Sequence, residues 1–152
     1  MVLTIAPTQS CNFACTYCFE KWRQSGALSN RTEDAIINYI KHLKQEDGLE
    51  SVNLTWYGGE PLLQYKRVIS LARRIDELGL KINENLLITN GYFFTPEVVE
   101  KLVEAKISEI QITLDGFRET HDIRRPLING KGTFDTIIKN LDDYYNSRFR
   151  GA

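Results

Sequence analysis

Apolar and polar residues alternate in short stretches of this chain, and a longer stretch with helical periodicity follows each of them. The alternation is clearest at residues 51–57 and 109–115, where every second side chain is apolar, as in strands with one buried face. Residues 2–6 and 86–89 are shorter β-prone runs, ended by Pro7 and by Asn90-Gly91. The pattern therefore predicts four strands over these four ranges.

Apolar residues three or four positions apart predict a helix after each strand. The expected N-terminal caps of the first, third and fourth helices are Thr32, Thr95 and Thr133, because a threonine hydroxyl accepts a hydrogen bond from the first turn. The second helix is expected over residues 68–78, and a long loop over residues 116–132. The apolar stripe of the first helix is expected to contain Ile36, Tyr39, Ile40 and Leu43.

Four strand–helix units in succession predict an α/β fold with parallel strands. In an ordinary doubly wound sheet both faces are covered, and the strands are almost continuously apolar. The second and fourth strands instead carry a polar face, which suits strands that line a polar cavity in an open or partial (βα) barrel. An edge strand would show a similar alternation. The polar positions are Asn53, Thr55, Gln111, Thr113 and Asp115.

Size and charge narrow the class of protein. The 152 residues are enough for one domain with a sizeable core, and 42% hydrophobic and 26% charged residues are ordinary for a globular protein. The net charge of −1 gives no electrostatic reason to expect nucleic acid as the main partner. No apolar run approaches the roughly 20 residues that cross a bilayer, and the N-terminus lacks the pattern of a secretory signal. We expect a cytoplasmic protein with no membrane partner.

Three cysteines, Cys11, Cys15 and Cys18, lie close together, and the chain has no others. An odd, tightly spaced set is more typical of metal or cluster binding in a reducing compartment than of a disulfide framework. Three thiolates, here spaced Cys-x3-Cys-x2-Cys, can hold three irons of a 4Fe–4S cube, which leaves the fourth iron open for chemistry. A zinc site completed by His42 or His121 is the alternative, although neither histidine has a ligand partner at short spacing.

CNFACTYCFE resembles the cluster loop of the radical S-adenosylmethionine (AdoMet, or SAM) superfamily, including an aromatic residue, Tyr17, before the last cysteine. WYGGEPLL, LITNG and ITLDG resemble that family's motifs on its second, third and fourth strands, in the family's order. Each motif stands at the C-terminal end of a predicted strand. PTQSCNFACTYCFE and THDIRRPLINGKGTF resemble the peptide- and protein-modifying subgroup, which includes sulfatase maturases and peptide maturases, often with SPASM extensions.

The resemblance implies that the three cysteines bind a 4Fe–4S cluster, whose open iron takes the amino and carboxylate groups of AdoMet. Gly58, Gly59 and Glu60 are then expected at the AdoMet amine, because glycines permit close approach and a carboxylate complements a cation. Thr113 and Asp115 are expected near the ribose or the methionine part. From the residues alone, Asp115 is also explained as a turn former before Gly116.

Further residues are expected at the same pocket. Thr89 and Asn90 match the third-strand motif. Arg125 suits the carboxylate of AdoMet or of a substrate, although Arg124-Arg125 is also typical of a solvated basic pair. The aromatic side chains Tyr17 and Phe19 are expected to shield the cluster and flank the adenine, or simply to pack.

The implied activity is reductive cleavage of AdoMet to methionine and a 5′-deoxyadenosyl radical, which takes a hydrogen atom from a peptide or protein substrate. A reductant protein such as a flavodoxin or ferredoxin is the expected electron donor. The second candidate function is an iron–sulfur or metal-binding module that does not cleave AdoMet.

The family core is usually a partial barrel of six units, and about four are predicted here. We therefore expect residues 1–152 to be the N-terminal part of a radical SAM core domain. The chain would be either a fragment of a larger enzyme or a protein that completes its sheet by pairing with another copy. The open edge of the fourth strand is the expected surface for such self-association.

Overall fold

A computed structural model of the chain describes residues 1–20 and 25–147. The strands are β1 (Val2–Ile5), β2 (Ser51–Trp56), β3 (Lys81–Thr89) and β4 (Glu109–Ile112), which form one sheet in the order β1-β2-β3-β4. All three strand pairs are parallel. The prediction of an α/β fold with four parallel strands, as in a partial (βα) barrel, is confirmed. The helices are α1 (Asn30–Glu46), α2 (Tyr65–Asp76), α3 (Pro96–Glu104), α4 (Arg118–Arg124) and α5 (Phe134–Tyr145), with a 3-10 turn at Pro61–Gln64.

The core lies between one face of the sheet and the helices α1, α2 and α3. Val52, Leu54 and Trp56 of β2 point to this face and are 0% exposed. Asn53 and Thr55 alternate with them and are only partly buried. The sheet therefore has the apolar and polar faces that the alternation in β2 predicts. Residues packed in the core from the helices include Ile37, Ile40, Val68, Leu71, Ile75, Val99 and Leu102.

The first helix begins earlier than the sequence predicts. Its N-cap is Ser29, whose Oγ accepts a hydrogen bond from the Thr32 amide at 3.1 Å, so the prediction of Thr32 as the cap is wrong. The apolar stripe is also different. Ile37 and Ile40 are buried, whereas Tyr39 is 56% exposed, because position 39 lies on the opposite side of the helix from position 37 at about 100° per residue.

All four strands have other bounds than predicted, and β1 ends at Ile5 rather than residue 6. β3 begins at Lys81 rather than residue 86, since a polar stretch pairs with β2 through its backbone. Asn85 within it is 1% exposed and accepts a hydrogen bond from Trp56 Nε1 at 2.8 Å. β4 ends at Ile112 rather than residue 115, and Leu114, expected on its apolar face, is 40% exposed. β2 likewise ends before Tyr57.

Helix α4 occupies part of the stretch predicted as a loop, so that prediction is wrong for residues 118–124. Only His121 of this helix is buried, and the helix therefore has no apolar stripe to reveal it. The cap of the third helix, Thr95, is confirmed. Thr133 does precede α5, but it makes no side-chain cap. Asp122 Oδ1 accepts instead from the Thr133 and Phe134 amides at 2.7 and 2.9 Å, so the capping group comes from α4.

In the described ranges, β1 pairs only with β2 and β4 only with β3. Both outer strands therefore present unpaired backbone groups there. None of the helices in these described ranges is long and apolar enough to cross a membrane.

Candidate functional site

The three cysteines lie in the loop that follows β1, and the connection between α4 and α5 holds this loop. The Ala14 amide donates to the Pro126 carbonyl at 2.8 Å, and the Thr16 amide donates to the Arg124 carbonyl at 2.9 Å. Phe13 and Leu127 form an antiparallel bridge at the same place. The loop is thus anchored on both sides of Cys15, at the carboxyl end of the sheet where α/β proteins place their sites.

All three cysteines lie between two cavities, one of about 540 Å³ and a smaller one of about 170 Å³ that also reaches the ends of β2 and β3. They are partly buried, and none forms a disulfide. Over residues 1–20 and 25–147, no three His, Cys, Asp or Glu side chains are arranged to hold a metal ion. A 4Fe–4S cube does not need three ligands around one metal ion, because each thiolate binds a separate iron atom. Three thiols around one cavity therefore fit a cluster with an open iron better than a zinc ion.

The smaller cavity brings together most of the residues predicted for the cofactor site. The predicted residues in its lining are Cys11, Cys15, Tyr17, Cys18, Gly58, Gly59, Thr89, Asn90, Thr113 and Arg125. Glu60 and Asp115 are not in this lining, but each is hydrogen-bonded to a residue that is. Phe19 lines the cavity as the resemblance implies, and four further lining residues have no role assigned from the sequence: Phe13, Glu20, Tyr57 and Ile88.

The glycine pair touches the segment that leads into the cysteine loop. Gly58 has a φ of +139°, and a Cβ there would lie 2.6 Å from the Thr8 carbonyl oxygen. A Cβ on Gly59 would overlap the Ser10 carbonyl and lie 2.5 Å from the Gln9 oxygen. The close approach that requires glycine is therefore between two stretches of protein backbone. A ligand contact, which the sequence predicts, is not needed to explain the pair, although both residues line the cavity.

Glu60 is 1% exposed, and its carboxylate already has three protein donors. Oε1 accepts from the Thr89 hydroxyl at 2.6 Å and the Leu62 amide at 2.9 Å, and Oε2 accepts from the Asn90 amide at 2.7 Å. Burial raises the pKa of this carboxyl, while the three donors and the charge of Arg125 oppose the rise. Glu60 therefore ties the end of β3 to the segment after β2, and its side chain is engaged with protein rather than pointing at an amine in the cavity.

Asn90, which is hydrogen-bonded to Glu60 through its backbone amide, also reaches the first cysteine, Cys11. Its Oδ1 accepts from the Tyr92 amide at 3.0 Å, which sets the orientation of the side-chain amide. Its Nδ2 donates to Asn12 Oδ1 at 2.9 Å and lies 3.9 Å from Cys11 Sγ. The Phe13 amide donates to the same sulfur at 3.4 Å. Donors of this kind stabilise a ligating thiolate and tune the metal group that it holds.

A group of charged and phenolic side chains surrounds Tyr17 and Arg125, which line the other side of the cavity. The Tyr17 hydroxyl donates to Asp115 Oδ1 at 3.0 Å and accepts from Arg125 at 2.6 Å. Arg124 donates to Asp115 Oδ2 at 2.8 Å and lies 4.8 Å from the Tyr17 ring centroid. Burial alone would raise the pKa of Asp115, but the bonds from Arg124 and Tyr17 and the charge of Arg125 outweigh it and hold that pKa below its ordinary value. Asp115 is therefore an ionised acceptor and more than a turn former.

Arg125 is well placed to bind an anionic group. It is 8% exposed, so it is not half of a solvated pair, and its guanidinium lies 5.8 Å from the Phe13 ring centroid. Within the described residues its Nε is buried without an acceptor. Leaving a buried donor unpaired is costly. Arg125 also lines the cavity, and a planar guanidinium suits a ligand carboxylate there. The same positive charge opposes the rise that burial causes in the pKa of Cys15. Three thiols and a guanidinium around one cavity, with the ends of β2 and β3 beside them, together fit a cluster with bound AdoMet.

His121 and Asp122 are site neighbours that sequence reasoning missed. His121 is 0% exposed, and its Nδ1 accepts a hydrogen bond from the Asp115 amide at 3.2 Å. It belongs to no metal-binding group in the described residues, and His42 is exposed on α1. The zinc alternative therefore has no support there. The only available signal was the position of THDIRR just after the fourth-strand motif.

Comparisons with known proteins identify the class that this fold and site define. The family model described as the radical SAM superfamily matches residues 5–151. The chain belongs to the radical SAM superfamily, whose characteristic cofactors are a 4Fe–4S cluster and AdoMet. The family and the cofactors predicted from the sequence are thus confirmed.

Three similar proteins show how far the likeness extends. The chain is 31% identical over 142 residues to the serine-type anaerobic sulfatase-maturating enzyme of Klebsiella aerogenes, covering 88% of this chain and 34% of the relative. It is 32% identical over 145 residues to the GTP 3′,8-cyclase of Haemophilus influenzae, covering 92% and 40%. A solved structure of anSMEcpe with bound AdoMet and Cp18Cys peptide is similar with a TM-score of 0.75 at 25% identity, covering 94% of this chain and 39% of that chain. The chain therefore spans well under half of each of these proteins.

Proposed function

We propose that this chain is the cofactor-binding, N-terminal part of a radical SAM enzyme that modifies a peptide or protein. The observation that carries the proposal is the single cavity lined by three cysteines, the glycine pair and Arg125. When bound there, the cluster and AdoMet supply reductive cleavage, which yields methionine and a 5′-deoxyadenosyl radical. The chain's own residues bind and orient these groups.

The following roles are proposed for the residues at the cavity. Cys11, Cys15 and Cys18 ligate three irons, and Asn90 supplies a donor near the first sulfur. Arg125, which lines the cavity, binds the AdoMet carboxylate through its guanidinium. Two further groups of residues orient AdoMet. Thr89, Thr113 and the glycine pair contact it from the strand ends, while Asp115 holds the Tyr17 hydroxyl in place beside the guanidinium.

A peptide or protein substrate is supported by the likeness to a sulfatase-maturating enzyme and to anSMEcpe, which was solved with a bound peptide. The motif THDIRRPLINGKGTF, which resembles the peptide-modifying subgroup, agrees with this choice. Phe19 is 80% exposed and also lines the cavity, so it offers an apolar contact at the rim. A nucleotide is the competing substrate, because a GTP cyclase is equally similar in sequence.

The remaining parts of the proposal concern the surroundings of the site. A low-potential protein such as a flavodoxin or ferredoxin supplies the electron, in the reducing cytoplasm that a cluster of thiols requires.

The unpaired edge of β4 is covered by another strand, from a larger parent protein or from a second copy. Light scattering of the purified chain tests the last point: a mass of two chains supports self-association, and a well-behaved monomer contradicts it.

The central experiment is anaerobic reconstitution of the chain with iron and sulfide, followed by reduction in the presence of AdoMet. Formation of 5′-deoxyadenosine is expected, together with one cluster per chain. A variant with Cys15→Ser serves as the matched control, because it should lose both. A reconstituted chain whose cluster leaves AdoMet intact and unbound would instead support the second candidate, a cluster-binding module.

Substrate class is tested by adding either the Cp18Cys peptide or GTP to the reduced, reconstituted protein. The peptide is expected to increase the yield of 5′-deoxyadenosine, and deuterium at its abstracted position should appear in that product. Stimulation by GTP alone would overturn the peptide assignment and leave the radical chemistry standing.

A further inference from the structure

The hydrogen bonds around His121 have one consistent arrangement of protons. The Asp115 amide can only donate, so His121 Nδ1, 3.2 Å away, must accept. The Thr133 hydroxyl donates its single proton to the Arg125 carbonyl at 2.8 Å. Thr133 Oγ1 is then the acceptor for His121 Nε2 at 3.1 Å. The ring is therefore neutral, with its proton on Nε2, and every donor meets an acceptor.

The same ring joins the two segments that carry the charged groups of the site. On its Nδ1 side it holds the backbone of Asp115, and on its Nε2 side it holds the backbone of Arg125 through Thr133. The carboxylate of Asp115 and the guanidinium of Arg125 then meet at the Tyr17 hydroxyl, at 3.0 and 2.6 Å. His121 is not itself in the cavity lining. Its backbone carbonyl also accepts from the Arg125 amide at 2.7 Å, a contact that substitution of the ring leaves in place. The ring therefore affects the site through Asp115 and Thr133.

The surroundings hold the ring rigidly. His121 is 0% exposed, and its ring packs against Phe134 with centroids 5.6 Å apart and planes at 66°. Asp122, the next residue, caps α5 through the Thr133 and Phe134 amides. Gly132 has no room for a side chain, because a Cβ there would meet the Asp122 carboxylate. The position of Thr133, and hence of the proton acceptor for Nε2, is set independently of the histidine.

We propose that His121 is a positioning residue of the AdoMet site, and that it works as a neutral imidazole that fixes Asp115 and Arg125 relative to each other. This inference rests on the proposed function, which assigns those two residues to AdoMet. A protonated ring would direct a second N–H at the Asp115 amide and break that link. It would also put a positive charge close to Arg125, and no acceptor among the described contacts of the ring would take the extra proton.

Three substitutions separate the two links. His121→Asn puts an amide oxygen near the place of Nδ1 and keeps an acceptor for Asp115. His121→Gln puts an amide nitrogen near the place of Nε2 and keeps a donor for Thr133. His121→Leu keeps the bulk and loses both links, so it reports what packing alone supplies.

The first measurements use the intact chain without cofactors. Nitrogen-15 NMR of the ring is expected to show a proton on Nε2 at pH 7. Hydrogen exchange at the Asp115 amide should stay slow in wild type and His121→Asn, and should become about tenfold faster in His121→Gln and His121→Leu, because each lost hydrogen bond changes an equilibrium by roughly that factor. A ring proton on Nδ1, an imidazolium at pH 7, or an Asp115 amide equally protected in all four proteins would overturn the proposal.

The second measurement is the equilibrium affinity of the reconstituted chains for AdoMet. His121→Asn and His121→Gln should each bind about tenfold more weakly than wild type, and His121→Leu about a hundredfold more weakly, since two links are lost. Equal affinity in His121→Leu and wild type would contradict the positioning role. If wild type itself bound no AdoMet, the proposed function would fail, while the NMR results would still decide whether His121 holds Asp115. Should His121→Leu not fold, the other two variants carry the comparison.

Discussion

The two sides of the cavity are built from different kinds of contact. On the backbone side, which comprises residues 58–60, 89 and 90, main-chain groups meet a carboxylate that is 1% exposed. On the charged side, which comprises Tyr17, Asp115, Arg124 and Arg125, side chains bond to one another, and Tyr17 is 47% exposed. The backbone side therefore depends on buried main-chain contacts, whereas the charged side depends on side-chain contacts that run from the buried Arg125 to the exposed Tyr17. Substitutions should affect folding on the first side and ligand binding on the second.

The largest effect should come from Glu60→Ala. This change leaves the Thr89 hydroxyl and the Leu62 and Asn90 amides buried without their acceptor, and we expect the free energy of unfolding to fall by about 3 kcal/mol. Chemical denaturation measures it. Glu46→Ala, at an exposed position near the end of α1, is the matched control and should change stability by less than about 0.5 kcal/mol. Equal stability of the two variants would show that the buried contacts of the backbone side do not stabilise the fold.

Gly59→Ala should have the next largest effect. The new Cβ would overlap the Ser10 carbonyl, so the segment before Cys11 must shift, at a cost of about 2 kcal/mol for overpacking. The iron bound per chain after reconstitution should fall as well. Gly26→Ala is the control, because a Cβ at Gly26 meets nothing within 4 Å. Normal iron content in Gly59→Ala would contradict this account of the glycine pair.

A smaller effect on stability, and a clear one on binding, is expected for Arg125→Lys. Lysine keeps the charge but lacks the planar fork and the Nε donor, so AdoMet should bind about tenfold more weakly, or about 1.4 kcal/mol. The free energy of unfolding should change by less than about 1 kcal/mol. Arg118→Lys is the control, since Arg118 pairs with Asp135 at an exposed site. Unchanged AdoMet affinity would mean that the charged side does not bind this ligand.

The smallest effect concerns pH. Burial, and then the charge of Arg125, lower the pKa of His121 below its ordinary value of 6.5, despite the opposing charges of Asp122 and Asp115. Between the lowered pKa of the folded protein and 6.5, the unfolded chain binds more protons than the folded chain. The contribution of His121 to the free energy of unfolding is therefore complete above pH 6.5 and declines as the pH falls below it. Unfolding curves at pH 7.5 and 5.5 should therefore differ more in wild type than in His121→Asn. If stability changed equally between pH 7.5 and 5.5 in both proteins, His121 would not contribute to the pH dependence of folding.

Much of the fold could be predicted because the buried face of β2 and the stripes of α2 and α3 have regular periods. The misplaced elements lack that signal. Residues 81–85 of β3 are polar except for Ile82 and pair with β2 through the backbone, and α4 buries only His121. Thr32 was a plausible cap on local grounds, but only the backbone of Ser29 is extended at the helix start.

The candidate site was predictable where residues of a motif all line the cavity, as the three cysteines and Arg125 do. It was less predictable where a residue acts through another. Glu60 has the charge to bind an amine, yet its carboxylate is already bonded to Thr89 and to two amides. Two of these partners, Thr89 and Asn90, are about 30 positions away, so the composition and spacing of the motif around Glu60 carry no information about them.

The bonds between the cysteine loop and the α4–α5 connection also govern when the site forms during synthesis. Thr16 and its partner Arg124 are 108 positions apart. At 5–20 residues per second, the ribosome needs roughly 5–20 s to make the intervening chain. For that interval the three thiols have been synthesised but their anchor has not, which leaves them open to oxidants and stray metal ions in the nascent chain. Cluster insertion into an anchored loop can begin only after this delay.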